Sequence, residues 1–132
     1  MRFHLKDVDL IRMNAYVIKI ESLNVDFGMK DVEKFRALTK RLQEDQTLSI
    51  KREAVELFLG LYEGDMFTLG NKRMAWIAVV TFYRMNGYHV AFKDEDVLSM
   101  IREIESGEYT QKEKLDIIEN FLDNPEFVLT EK

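Results

Sequence analysis

At 132 residues, 46% hydrophobic and 33% charged, the chain is the size of one ordinary domain and far from the composition that keeps proteins disordered. It has no cysteine, which excludes disulfides and thiolate metal sites, and its two histidines, His4 and His89, lie too far apart for a local zinc motif. A formal net charge of −5 argues against a general nucleic-acid binder.

Asp7 and Asp9 interrupt the start of the chain where a signal peptide would need an unbroken apolar stretch. No segment approaches the ~20 apolar residues of a membrane span. These features predict a cytoplasmic protein with no membrane or nucleic-acid partner. Pro125 is the only proline and the glycines are scattered, so residues 1–132 read as a single domain without linker or repeat.

Apolar residues recur at helical spacing from Leu5 through Val8, Ile11, Met13, Tyr16 and Val17 to Ile20, and again at Val32, Phe35, Leu38 and Leu42. This predicts two amphipathic helices broken near Gly28. A third runs from Ile50 to Tyr62, with Ser49 as N-cap and Ala54, Val55, Phe58, Leu59 and Tyr62 inward; Gly64 ends it. The stretch from Asn71 to Asn86 is apolar nearly all round and is predicted as a buried central helix, stopped by Asn86-Gly87. Asp94 or Asp96 is expected to cap a fifth helix ending at Ser106. After Gly107, Thr110 and Glu113 form the capping box of a sixth that ends near Asp123. Strand-like alternation is weak, around Tyr88 to Phe92 and Phe127 to Leu129. The predicted fold is therefore all-α, a bundle of about six helices.

Charge divides along the chain. No acidic residue falls between Met66 and Lys93, where Lys72, Arg73, Arg84 and Lys93 are basic, whereas twelve acidic residues face four basic ones from Asp94 onward. The acid-free stretch contains Gly70-Asn71-Lys72-Arg73, the start of the central helix. Helix N-termini present unpaired N–H groups at the positive end of the dipole, where a phosphate or carboxylate is favoured. Gly70 permits close backbone approach, and Lys72 and Arg73 add two full charges that the dipole alone disfavours. That local conflict marks an anion site.

Phe67-x-x-Gly70-Asn71-Lys72-Arg73 resembles the core of the Fic/Doc family, whose pattern is HxFx(D/E)(G/A)N(G/K)R at the start of a central helix. Phe82-Tyr83-Arg84-Met85-Asn86-Gly87 is similar to the FLRxNG segment that ends that helix in death-on-curing (Doc) toxins, and the turn at Ser106-Gly107-Glu108 also matches. Lys72 and Trp76 are Doc-like where adenylylating Fic enzymes carry a glycine and often an arginine. The resemblance implies a Fic/Doc-like bundle that binds the phosphates of ATP or another nucleotide. Arg73 would hold a phosphate, Asn71 would orient loop and ligand, and Phe67 would anchor the loop. It also implies phosphotransfer to a translation factor, Mg²⁺ on the phosphates, and an antitoxin whose terminal helix fills a groove.

Two positions depart from the pattern. Asp65 stands in place of the catalytic histidine, and Leu69 in place of the acidic metal ligand, which cannot coordinate a hard cation. An Asp can serve as base in phosphoryl transfer, but its ordinary pKa of about 3.9 makes it far weaker than histidine at neutral pH. Glu63 and Asp65 together are a candidate pair for a metal approaching from another direction. The expectation is a Doc-like protein of a toxin–antitoxin system that retains the phosphate cradle with transfer activity lost or altered. Its competitors are an active phosphotransferase or nucleotidyltransferase using Asp65, and a non-catalytic scaffold that binds an acidic partner.

Overall fold

The computed structural model describes residues 2–6, 9–13, 31–66, 71–124 and 128–130. Helices make up most of them: α1, described over 9–13, then α2 (Val32–Glu44), α3 (Ile50–Gly64), α4 (Asn71–Met85), α5 (Asp94–Ser106) and α6 (Gln111–Leu122). The all-α expectation holds. Tyr16, Val17, Ile20 and the break at Gly28 lie outside the described residues.

Local chemistry accounts for most boundaries. The Asp31 carboxylate accepts the Lys34 N–H at 3.0 Å to start α2, and Ser49 Oγ does the same for Arg52 at the start of α3. The capping box of α6 is complete: Glu113 N–H donates to Thr110 Oγ1 at 3.2 Å and Thr110 N–H to Glu113 Oε1 at 2.9 Å. Gly87, at φ 86°, carries the left-handed turn after α4 that a side chain would strain.

One cap differs from expectation. Neither Asp94 nor Asp96 is the N-cap of α5; Lys93 occupies that position, and Asp96 reaches back from the first turn to accept the Lys93 N–H at 3.2 Å. Asp94 and Glu95 also sit in that first turn, where their charges complement the dipole. Helix α3 ends at Gly64 as expected; the glycine is buried as its last helical residue, and Asp65 takes the left-handed conformation at φ 49°, ψ 42°. The chain folds closely over Gly64: a Cβ there would sit 3.0 Å from Met66 Cε, so the methionine side chain would have to shift slightly. Asp is among the few side chains that tolerate the left-handed region, so the turn passes to the next residue.

Helices α3 and α4 pair at the centre, with α2 and α6 against α3. Phe58, Phe82, Ala75, Ala78 and Val79 are fully excluded from solvent between them, and Phe35, Leu38 and Leu42 bring α2 onto this core. Val32, expected on the same inner stripe, is 41% exposed at the helix start. Tyr88–Val90 (β1) pairs antiparallel with Val128–Thr130 (β2), so the weak alternation there marks a two-stranded ribbon. Residues 2–6 cross the bundle end. Leu5 is buried, the Phe3 N–H donates to Asn86 Oδ1 at 2.8 Å, and Asn86 Nδ2 returns a bond to the Phe3 carbonyl at 2.9 Å.

Tyr83 lies in this core and its phenol is held well above the ordinary range, chiefly by burial, then by the nearby Tyr88, Asp123 and Glu119. A group whose folded pKa is raised stabilises the fold below its unfolded value and loses that contribution as pH climbs. Stability is therefore expected to decline above about pH 10, where an unfolded tyrosine ionises. Urea titrations at pH 8 to 11 should show a shallower decline for Tyr83→Phe; identical slopes would remove Tyr83 as the cause.

Candidate functional site

The first turn of α4 presents Asn71, Lys72 and Arg73, and no acidic residue falls in it. The helical period carries the same face on to Trp76 and Ile77. Opposite, α5 turns Leu98, Ile101, Arg102 and Glu105 inward at spacings of three and four residues. These nine residues, with Tyr62, Asp65, Asp94 and Val97, line one open cleft of about 1020 Å³. It exists because α5 packs on α6, which leaves a gap between α5 and α4.

Trp76 forms the floor. It is half-buried, with Phe92 edge-on at 4.6 Å between centroids, Phe121 at 6.1 Å and Phe58 at 6.2 Å. This cage fixes the indole, so one side of the cleft is rigid and aromatic while the mouth is charged.

Lys72 crosses the cleft. Its Nζ lies 2.8 Å from Glu105 Oε1 and 5.6 Å from the centroid of the Tyr62 ring, whose hydroxyl bonds the same Glu105 oxygen. Hydrogen bonds from Lys72 and then Tyr62 hold the Glu105 carboxyl below the usual carboxylate range. Burial, with the Glu105 hydrogen bond second, pushes the Tyr62 phenol above its own. The triad joins the end of α3, the start of α4 and the end of α5.

Asp65 is exposed, and its Oδ1 lies 3.4 Å from Asn71 Nδ2, a long contact that places the carboxylate at the lip beside the α4 N-terminus. The structure thus brings Asp65, Asn71, Lys72 and Arg73 to one cleft. Phe67, Leu69 and Gly70 lie outside the described residues. Glu63 does not join Asp65: it faces α6, accepting from Gln111 Nε2 at 2.9 Å and Lys114 Nζ at 2.5 Å. Burial raises the Glu63 pKa, and those two bonds more than offset it, leaving it below the ordinary range. Among the described residues no group of three or more His, Asp or Glu side chains is placed to hold a metal.

Four residues of the cleft that carry a titratable group were not candidates in the sequence: Tyr62, Asp94, Arg102 and Glu105. Tyr62 reads as core from its helical spacing, and the other three lie in the acidic segment that resembles a solvated helix surface. The i, i+3, i+4, i+7 set Leu98, Ile101, Arg102 and Glu105 was the available signal, because it puts a cation and an anion beside an apolar stripe. His4 and His89 lie away from the cleft. His89 is exposed on β1, and His4 Nδ1 is 2.7 Å from Glu53 Oε2 on α3. No described helix is long and apolar enough to cross a membrane.

The chain matches no family model and no curated protein sequence.

Proposed function

We propose that this chain is a Doc-like protein that binds a nucleoside phosphate in the cleft between α4 and α5 and has lost the ordinary phosphotransfer reaction. The observation that carries the reading is the meeting of Asn71, Lys72 and Arg73, in a first turn with no acidic residue of its own, with the wall of Trp76 in one cleft. Its size is comparable to that of small-molecule sites, which run to about 1,000 Å³. A phosphate at the mouth would meet the dipole and the Arg73 guanidinium, and a base would have an aromatic surface within reach. Phe67 to Gly87 supplies the resemblance to Doc proteins, and Arg73 has the phosphate-holding role there.

Loss of transfer follows from the side chains. Asp65 offers a carboxylate where that chemistry uses an imidazole, and the donor set does not fit Mg²⁺: Leu69 replaces the acid, Glu63 is bonded to α6, and Glu105 is bonded to Lys72. ATP is therefore a ligand in this proposal, and no step is routed through a metal. In a toxin–antitoxin setting, binding without transfer leaves action through a protein partner, an antitoxin or a translation factor.

Calorimetry with ATP and with inorganic phosphate tests the reading. Arg73→Ala is expected to weaken ATP binding by about tenfold or more, since a hydrogen bond to a charged group is worth about 1.5–3 kcal/mol. No heat of binding at millimolar ATP would sink the proposal.

A further inference from the structure

We propose that Arg102 of α5 is a second cationic anchor of the cleft, so that the ligand is a nucleoside phosphate whose phosphate lies between Arg102 and the first turn of α4 and whose ring rests on Trp76. The inference rests on the phosphate-site reading of the cleft and adds the opposite wall to it.

The cations of the cleft are not equivalent. Lys72 is already neutralised by Glu105, so an incoming anion must compete with a carboxylate for it. Arg102 stands one helical turn from Glu105, a separation of about 5–6 Å between Cβ atoms. That neighbouring acid is committed to Lys72 and Tyr62, and no salt bridge to Arg102 is found among the described residues. Because Lys72 reaches Glu105 directly, the α4 N-terminus and the Arg102 turn of α5 face each other across the cleft. A guanidinium offers a planar fork of donors suited to a phosphate, and it is more weakly hydrated than an ammonium.

The rest of the α5 wall says what accompanies the phosphate. Leu98, 48% exposed, and half-buried Ile101 lie on the same face as Arg102, across from Trp76 and Ile77. An apolar stretch of wall with Arg102 at one end and the Asp94 carboxylate at the other suits a flat ring carrying a phosphate better than a free phosphate ion. The Lys72–Glu105 pair would then limit affinity, because an incoming anion has to compete with a carboxylate for Lys72.

Trp76 is the only tryptophan, so quenching of its emission reports ligand in the cleft directly. The titration uses the full chain with ATP and with inorganic phosphate. Expected results are weaker ATP binding in Arg102→Ala by about tenfold, partial rescue in Arg102→Lys, and severalfold tighter binding in Glu105→Gln, which releases Lys72. ATP should bind more tightly than inorganic phosphate. Arg102 is exposed, and unchanged far-ultraviolet circular dichroism of its variants separates lost binding from lost fold. If Arg73→Ala abolishes binding while Arg102→Ala leaves it unchanged, the Arg102 assignment is overturned and the phosphate site stands. If the unaltered chain binds no ATP at millimolar concentration, both fall together.

Discussion

Replacing Phe58 with alanine is expected to lower stability by about 3–5 kcal/mol, the range for removing a buried aromatic ring. Phe58 has no solvent exposure, stacks on Tyr62 at 5.6 Å and 13°, and meets Trp76 edge-on. It therefore sits beneath both the floor and the side wall of the cleft, on the α3–α4 interface. Domains of this kind have about 5–15 kcal/mol in total, so the loss takes a large share of the reserve. The expected signature is a lower urea midpoint at unchanged m value, with a shift in Trp76 emission in the folded state. Phe58→Leu keeps most of the volume and should cost much less. A cost below about 1 kcal/mol for alanine would show that the aromatic cluster is not part of the cooperative core.

The second large effect is expected at Glu53. Its carboxylate is only 3% exposed and is held by Arg2 at 3.0 Å and His4 at 2.7 Å. Taking a carboxylate out of water is costly, and the two partners from the N-terminal segment offset that cost. Glu53→Ala leaves Arg2 and His4 without their acceptor, but both side chains are about a quarter exposed and can be rehydrated. The expected loss is thus about 1–3 kcal/mol, below the figure for a fully buried pair. Residues 2–6 should loosen with it, seen as faster exchange of the Phe3 amide, which Asn86 otherwise protects. Unchanged exchange in the variant would mean that Leu5 and Asn86 hold the segment without the ion cluster.

Where a boundary is made by neighbouring residues, it was legible. Ser49, the Thr110–Glu113 box and Gly87 each act within a turn of their own position, and each does what its residue type predicts. Gly64 likewise marks the end of α3, although the left-handed φ falls on Asp65 and not on the glycine. Asp94 and Asp96 misled: both are good caps in isolation, yet they sit inside the first turn and Lys93 precedes them.

The same division runs through the site. The α4 wall of the cleft was visible because Asn71, Lys72 and Arg73 are adjacent in an acid-free segment. The α5 wall was not, because Arg102 and Glu105 lie some thirty residues further on, and only the packing of α5 on α6 turns them toward Trp76. The alternation at both strands was visible, but their pairing was not, for a related reason: three-residue strands gain their order from each other, and β1 and β2 are distant in sequence.

That distance has a kinetic consequence. Pairing Val90 with Val128 closes a loop of about forty residues, with an entropic cost on the order of 3 kcal/mol before any constant is added. Three residues a side supply only a few backbone bonds, each with a net value of about 0.5–1.5 kcal/mol. The ribbon is therefore expected to form late in folding, after α6 has docked on α3 and shortened the gap to be spanned. In the finished protein it is a reporter: its amides should be early to exchange whenever the α5–α6 pair lifts from the bundle, which is also the motion that would widen the cleft.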